Sequence, residues 1–328
     1  RDFISLDRVF REAGAMKVGK IGKAVCRLMD ASKVLELAIA ALRADPAAVL
    51  CANPNCRDCV RQRAAIIRHR LTSEEFTLSV VLDEVTGTLE DLEKGIGLVQ
   101  DQGVNVVEIG PELALALIGL GPEALRIVSA RISAAGARVS MLCAPASVRP
   151  KETVAACAEV ATALGAELVR LPGDLAASAS SPQELAELLG PLVVEVTARG
   201  LVPVVENSAQ TALATRTQCE ALLSAVADLR LAFNPAHFAR AGEHPFLETW
   251  YRGKLKNAVV QLYVTDGCAP GGEQYTLPGQ GNGEVKELIS ILRCRSFDGY
   301  LCLRMANRRG GAELRRQAQA LWSLMDSL

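Results

Sequence analysis

Several apolar stretches of the sequence end in polar side chains that are suited to acid–base chemistry. One stretch ends in Glu206 and Asn207, and another ends in Asn234, which is followed three residues later by His237. A carboxylate and an imidazole that face one ligand can move a proton to or from it, while amides and phenols hold its oxygens. A single carboxylate at such a position often has a plainer role, which is to cap the next helix. The remaining polar residues that end apolar stretches include Asp83, Glu84, Glu108, Arg170, Gln261, Tyr263, Asp266 and Arg304.

The elements that must position these residues repeat from residue 76 onward. Short β-rich stretches of five to nine residues alternate with helical segments of about ten to eighteen, and several stretches are continuously apolar, as in parallel strands covered on both faces. We therefore predict an α/β fold, a (β/α)8 barrel with chemistry at the carboxyl ends of its strands. An open doubly wound sheet is the alternative, but no Gly-x-Gly-x-x-Gly follows the first strand. The predicted strands are Phe76–Glu84, Val104–Gly110, Arg138–Pro145, Glu167–Gly173, Val202–Asn207, Arg230–His237, Ala258–Asp266 and Gly299–Met305.

An ordered series of motifs runs along the barrel region. The motifs are Gly103-Val-Asn-Val-Val-Glu108, Leu164-Gly-Ala-Glu-Leu-Val-Arg170, Glu206-Asn207, Asn234-x-x-His237, Thr265-Asp266, Gly279-x-Gly281-x-Gly283 and Phe297-Asp-Gly-Tyr300. The series resembles the xylose-isomerase-like barrels, which include sugar-phosphate isomerases, epimerases and inosose dehydratases. The resemblance covers about residues 76 to 328, and it depends on the whole series because no single motif is specific.

The resemblance implies a divalent metal held by Glu, Asp, His and Glu from strands five to eight, with a further His after the Asp. Glu206 matches the first ligand and His237 the additional histidine, but Asn234 stands where Asp is expected. Tyr263 replaces the strand-seven His, and Arg304 replaces the last Glu. Hard and borderline divalent cations favour carboxylates and imidazoles, and a guanidinium repels them. We therefore expect no catalytic divalent metal at the barrel mouth.

Two functional interpretations remain open. In the first, the chain isomerises, epimerises or dehydrates a small sugar or polyol, and the Arg304 guanidinium stands where the metal would stand. Glu206 is then the proton-transfer base and His237 a second acid or base. In the second, catalysis is lost and the barrel serves as a scaffold that binds a ligand or a partner. The predicted substrate-binding residues are Glu108, Arg170, Asn207, Asn234, Gln261, Tyr263 and Asp266.

Residues 1–72 differ from the barrel region in charge and in pattern. They contain 14 Lys and Arg against seven Asp and Glu, so they carry +7, while the remainder carries −8 and the chain a total of −1. Short Ala/Leu-rich segments predict an all-helical N-terminal extension, followed by the barrel at residues 73–328. The charges of the extension are typical of a solvated helix face, and they are equally compatible with docking on the acidic barrel of the same chain or of a neighbour. Docking on a neighbour makes a homodimer or a protein partner the expected assembly. Few aromatic residues accompany the arginines of the extension, so nucleic acid is not the expected partner.

A cluster of three cysteines lies within this extension. The spacing Cys51-x4-Cys56-x2-Cys59 is compatible with a structural zinc site, with His69 as the expected fourth ligand and Cys26 as the other candidate. An iron–sulfur site and a turn without metal remain alternatives. The other seven of the ten cysteines are dispersed, which favours a reducing, cytoplasmic environment. No apolar run reaches the roughly 18 residues that a membrane-spanning helix needs.

The glycine-rich segment Gly279-x-Gly281-x-Gly283 precedes a predicted helix at Glu284. The free amides of such a helix start can bind a phosphate. However, the segment lacks the Lys-Ser/Thr of a P-loop, and Glu284 partly opposes an anion. A flexible loop is therefore the favoured interpretation.

Overall fold

The computed structural model describes residues 76–270, 275–295, 297–305 and 309–328. Within them, eight parallel strands pair in chain order, and the first strand pairs with the last to close a barrel. This confirms the predicted (β/α)8 fold. The strands are β1 Thr77–Val81, β2 Val106–Ile109, β3 Arg138–Cys143, β4 Leu168–Arg170, β5 Val202–Glu206, β6 Arg230–Phe233, β7 Val259–Val264 and β8 Tyr300–Leu303.

Helices surround the strands, and several begin with proline in the first turn, where the missing N–H has no helical partner to lose. The helices are α1 Leu92–Gln100, α2 Pro111–Ile118, α3 Pro122–Ala134, α4 Pro150–Leu164, α5 Asp174–Ser178, α6 Pro182–Thr197, α7 Arg216–Ala225, α8 Pro235–Arg240, α9 Val285–Cys294 and α10 Gly311–Asp326. Three short helices, α2, α5 and α8, were not expected from the sequence because each has eight residues or fewer. A π-helix, Pro245–Tyr251, and 3-10 turns at Leu82–Glu84 and Leu255–Asn257 complete the described elements.

Two apolar layers hold the barrel together. The larger layer packs the outer faces of the strands against the helices, and the smaller one fills the barrel interior with residues such as Met141, Val204 and Ala232. Parallel strands send alternate side chains to opposite faces, so both faces of each strand are buried. At the amino ends of the strands, Tyr300 Oη accepts a hydrogen bond from Arg138 and donates one to Glu167. The interior is therefore a packed core, and ligands can approach only from its ends.

The predicted helical extension and the expected zinc ligands Cys51, Cys56, Cys59 and His69 lie outside the described residues. The boundary between extension and barrel therefore stays a prediction. Among the helices that the structure describes, none is both long and apolar enough to cross a membrane.

Candidate functional site

Four charged or titratable side chains meet at the carboxyl ends of the strands. Arg170 is the last residue of β4, Glu206 is the last residue of β5, and Arg304 directly follows β8. His237 lies on α8, which begins immediately after β6. These four side chains are 14–26% exposed. The sequence prediction that places them around one barrel mouth therefore agrees with the geometry.

Glu206 is the centre of this group, and both of its carboxylate oxygens are occupied. Oε1 accepts hydrogen bonds from Asn234 Nδ2 at 2.8 Å and from Arg304 Nη1 at 3.0 Å. Oε2 accepts from Arg170 Nη1 and, at 3.3 Å, from Arg304 Nη1. Burial alone would raise the pKa of Glu206, but the charges of Arg304 and Arg170 dominate and lower it to about 2. An ionised carboxylate with this pKa and four donor contacts accepts a proton poorly, which gives the predicted role of Glu206 as a base little support.

Arg304 connects Glu206 to a second carboxylate. Its Nε donates to Oε1 of Glu84 at 3.1 Å, and its guanidinium carbon lies 4.9 Å from the ring centroid of Tyr263. Burial would lower the pKa of Arg304, but Glu206 and Glu84 hold it well above its ordinary value. Burial also raises the pKa of Glu84, although Arg304 opposes that shift. Arg304 is therefore a fixed cation between two carboxylates.

Glu84 belongs to the network although it is absent from the predicted site residues. It follows Asp83 at the end of the first predicted strand, and that position places it among the polar residues of the mouth without indicating its role. Asp83 has a different role, because its carboxylate accepts the backbone N–H groups of Gly110, Glu112 and Leu113 at the start of α2. The two adjacent carboxylates therefore have different roles. Asp83 caps α2, and Glu84 pairs with Arg304.

Glu108 lies below the mouth, inside the barrel, and has no solvent-exposed surface. Its Oε1 accepts from Tyr263 Oη at 2.8 Å and from the Cys143 thiol at 3.0 Å. Its Oε2 accepts from Gln261 Nε2 at 2.7 Å and from the Cys302 thiol at 3.3 Å. Gln261 and Tyr263 are equally buried. The predicted contacts of these three residues with substrate thus stay a prediction, and the contacts that the structure gives them are with the protein.

Tyr263 joins this interior group to the mouth, since its Oη accepts a hydrogen bond from Arg170 Nη1 at 3.0 Å. Burial raises the pKa of Tyr263 well above its ordinary value, so the phenol stays protonated and donates to Glu108. A continuous chain of hydrogen bonds therefore runs from Glu108 through Tyr263 and Arg170 to Glu206. Such a chain orients Arg170 in one position.

Two buried asparagines fix the end of β6 against the end of β5. The side chain of Asn207 pairs with the backbone of Asn234 through two hydrogen bonds of 2.7 and 2.9 Å. Asn234 Oδ1 in turn accepts the backbone N–H of His237 and so caps α8, while its Nδ2 donates to Glu206. Both residues therefore position Glu206 and α8, and the substrate-binding role predicted for them stays a prediction.

Asp266 organises the glycine-rich segment. Its carboxylate accepts the backbone N–H groups of Gly267, Gly279 and Gly283 at 2.6–3.0 Å. A Cβ at Gly281 would lie 2.5 Å from Asp266 Oδ1, so the close approach of the backbone requires glycine there. The segment expected to be a flexible loop is therefore fastened to the end of β7. Asp266 is only 1% exposed, and burial raises its pKa despite these hydrogen bonds.

The His237 imidazole makes only long contacts with the other described residues of the mouth. Its Nε2 lies 3.8 Å from Glu206 Oε1 and 3.4 Å from Tyr275 Oη, and its buried Nδ1 has no partner among the described residues. Burial lowers the pKa of His237, with Glu206 opposing and Arg304 reinforcing that shift. The imidazole is therefore neutral near pH 7 and available as a base or as a hydrogen-bond partner.

The residues at the mouth do not fit a divalent metal. Glu206 is the only one of the four usual ligands that keeps its residue type, and its oxygens already contact two guanidiniums. A cation at that carboxylate would face both arginines at close range. Among the residues that the structure describes, no group of three or more His, Cys, Asp or Glu side chains could hold a metal ion.

The barrel and the strand-end residues together define the class of protein. The sequence model of the xylose isomerase-like TIM barrel family matches residues 96–324, so the chain belongs to this family. No curated protein matches the chain.

Solved structures similar to the chain include a probable 3-DHS dehydratase from Bacillus anthracis and a D-psicose 3-epimerase from Clostridium cellulolyticum H10. The dehydratase is 14% identical with a TM-score of 0.62, and the match covers 75% of this chain and 98% of that one. The epimerase is 13% identical with a TM-score of 0.57, and the match covers 77% and 98%. A xylose isomerase domain protein from Planctomyces limnophilus is 17% identical with a TM-score of 0.59, covering 77% and 97%. At these identities the likeness establishes the shared fold alone.

Proposed function

We propose that this chain is a metal-independent member of its family that binds a small carbohydrate-like molecule at the barrel mouth. The observation that carries the proposal is the occupation of both Glu206 oxygens by Arg304, Arg170 and Asn234. The family's proton transfer beside a sugar carbonyl uses carboxylates that are free to exchange protons. Here the central carboxylate is ion-paired and ionised throughout the physiological pH range.

The carbohydrate-like character of the ligand is supported by the family and by the polarity of the mouth. Structural neighbours include a D-psicose 3-epimerase solved with D-tagatose and a 3-keto-D-glucoside 4-epimerase. In this chain, Arg170, Arg304 and His237 are partly exposed at the end of the barrel where the carboxyl ends of the strands lie. Guanidinium and imidazole groups are suitable partners for the oxygens of a small polar molecule.

The test begins with the 328-residue chain purified without added metal. Elemental analysis of a variant in which Cys51, Cys56 and Cys59 are all serine is expected to find no stoichiometric Mn, Mg or Zn. One tightly held metal per chain in that variant would refute metal independence. Native mass spectrometry of the wild-type chain is expected to reveal a co-purified small molecule, and Arg304→Met is expected to lose it.

The same comparison tests the proposed zinc site of the extension. We expect about one zinc per wild-type chain and none in the cysteine variant, with His69→Asn reducing the content. Equal zinc in all three proteins would contradict the assignment of these ligands.

A second candidate function, metal-independent isomerisation or epimerisation, is favoured by one observation at His237. A neutral imidazole beside Glu206 is a competent general base at pH 7. In that case, the wild-type chain incorporates solvent deuterium into D-tagatose or D-fructose at a carbon beside the carbonyl, and His237→Asn does not. Absence of exchange in concentrated wild-type protein would leave binding as the function. Equal exchange in both proteins would contradict the role of His237.

A further inference from the structure

The barrel mouth offers hydrogen-bond donors to a ligand while its carboxylate acceptors are occupied. Arg304 uses its Nε and Nη1 for Glu84 and Glu206, and Arg170 uses its Nη1 for Glu206 and Tyr263. No described residue accepts a hydrogen bond from the remaining N–H groups of these two arginines. Their side chains are 26% and 15% exposed, so solvent reaches them.

The two guanidiniums lie side by side. The Nη1 atoms of Arg304 and Arg170 both contact the same atom, Oε2 of Glu206. Neither side chain can change its position freely, because Glu84 holds Arg304 and Tyr263 holds Arg170. A guanidinium stays charged at every accessible pH, and its planar edge matches a carboxylate through paired N–H···O contacts. The mouth therefore presents two fixed cationic groups whose unused N–H groups require acceptors.

We propose that the ligand carries a carboxylate, which the unused N–H groups of Arg304 and Arg170 bind. The inference rests on the proposed binding function and specifies its ligand class, a sugar acid or another small hydroxy acid. His237, whose neutral imidazole lies beside Glu206, is placed to bind a hydroxyl of the same molecule.

The charges around the two arginines favour a carboxylate over a phosphate. Glu84 and Glu206 already balance Arg304 and Arg170, so the net charge of these four groups is zero. A group with two negative charges would gain little from such a site and would approach both carboxylates. A single carboxylate gains directional hydrogen bonds with less repulsion. Recognition therefore depends on hydrogen-bond geometry more than on a positive field.

The experiment compares acids with their uncharged counterparts by isothermal titration calorimetry on the 328-residue chain. D-gluconate is paired with D-glucitol and D-galacturonate with D-galactose, and inorganic phosphate is titrated separately. At least one acid is expected to bind at least tenfold more tightly than its uncharged counterpart and than phosphate. Equal affinity within each pair would overturn the carboxylate inference and leave the proposed binding function standing. Tighter binding of phosphate than of either acid would also overturn it.

Two arginine variants test whether the acid binds at Arg304. Arg304→Lys keeps a positive charge but removes Nη2, the guanidinium nitrogen that neither Glu84 nor Glu206 occupies, and it is expected to lose at least tenfold in affinity for the acid. Arg126→Lys, on the exposed outer surface of α3, is the matched control and is expected to bind as the wild type does. Undiminished acid preference in Arg304→Lys would overturn the assignment of the site. If the wild-type chain binds neither acids nor uncharged sugars and carries no co-purified molecule, the proposed function fails as well.

Discussion

The ion pairs of Glu206 make a specific prediction about the pH dependence of stability. The pKa of this carboxyl is about 2 in the folded chain, against an ordinary value of 4.5. A group whose pKa is depressed by folding stabilises the folded state above its unfolded pKa, and that contribution is lost as the pH falls. The difference of about 2.5 units corresponds to about 3 kcal/mol, because one unit is about 1.4 kcal/mol. About 2 kcal/mol of this is lost by pH 3, where the unfolded carboxyl is protonated and the folded one is not.

The perturbation that isolates this contribution is Glu206→Gln. Glutamine does not titrate, so the stability difference between wild type and variant is expected to shrink by about 2 kcal/mol between pH 6 and pH 3. Asp266, a buried carboxyl outside this network, has a raised pKa and titrates in the opposite sense, but its effect cancels because both proteins contain it. Glu84 and His237 are coupled to Glu206, Glu84 through Arg304 and His237 directly, so their titration is part of the measured difference.

Urea unfolding followed by tryptophan fluorescence measures this difference, since Trp250 is buried and reports on the packing around β6. Glu112→Gln provides the control, because Glu112 pairs with Arg309 in an exposed salt bridge. That variant is expected to change stability by less than about 1 kcal/mol at any pH. A difference between wild type and Glu206→Gln that stays constant from pH 6 to pH 3 would refute the assigned ion pairing.

Two further predictions concern residues that position the site. Gly281→Ala is expected to destabilise the fold by about 1–3 kcal/mol, since the new Cβ would lie 2.5 Å from Asp266 Oδ1. Gly119→Ala, whose Cβ would have its nearest neighbour at 3.7 Å, is the control in thermal unfolding, and equal melting temperatures would contradict the argument. Tyr263→Phe is expected to cost about 1–3 kcal/mol in urea unfolding because buried Glu108 loses a hydrogen-bond donor. A Tyr263→Phe variant as stable as the wild type would show that this hydrogen bond contributes little.

The barrel was predictable because its signal repeats along the chain. Eight apolar stretches alternate with helical segments, and parallel strands buried on both faces leave this pattern in the sequence. The convergence of Arg170, Glu206, His237 and Arg304 followed from the same reasoning, since the carboxyl ends of parallel strands share one end of a barrel. Both the fold and this convergence follow from the order of the strands, without knowledge of individual side-chain contacts.

The depth of each polar residue within the barrel could not be predicted in the same way. Glu108 and Glu206 both end apolar stretches, yet Glu108 is fully buried and Glu206 is partly exposed. Depth depends on the stagger between neighbouring strands, and the register shifts between Val107 and Glu108 at the pairing of β2 with β3. Local sequence does not report such a shift. Pairing of Glu84 with Arg304 was likewise missed, because 220 positions separate the two residues.

That separation has a consequence for how the chain folds. Glu84 follows the first strand, Arg170 and Glu206 end the fourth and fifth, and Arg304 follows the eighth. Arg304 cannot meet either of its carboxylates until β8 closes against β1. A half-formed barrel would leave Glu84 without this guanidinium, and Glu206 with only one of its two arginines. The network therefore adds its stabilisation at the final step of assembly, which favours the complete barrel over partly closed intermediates and makes unfolding more cooperative.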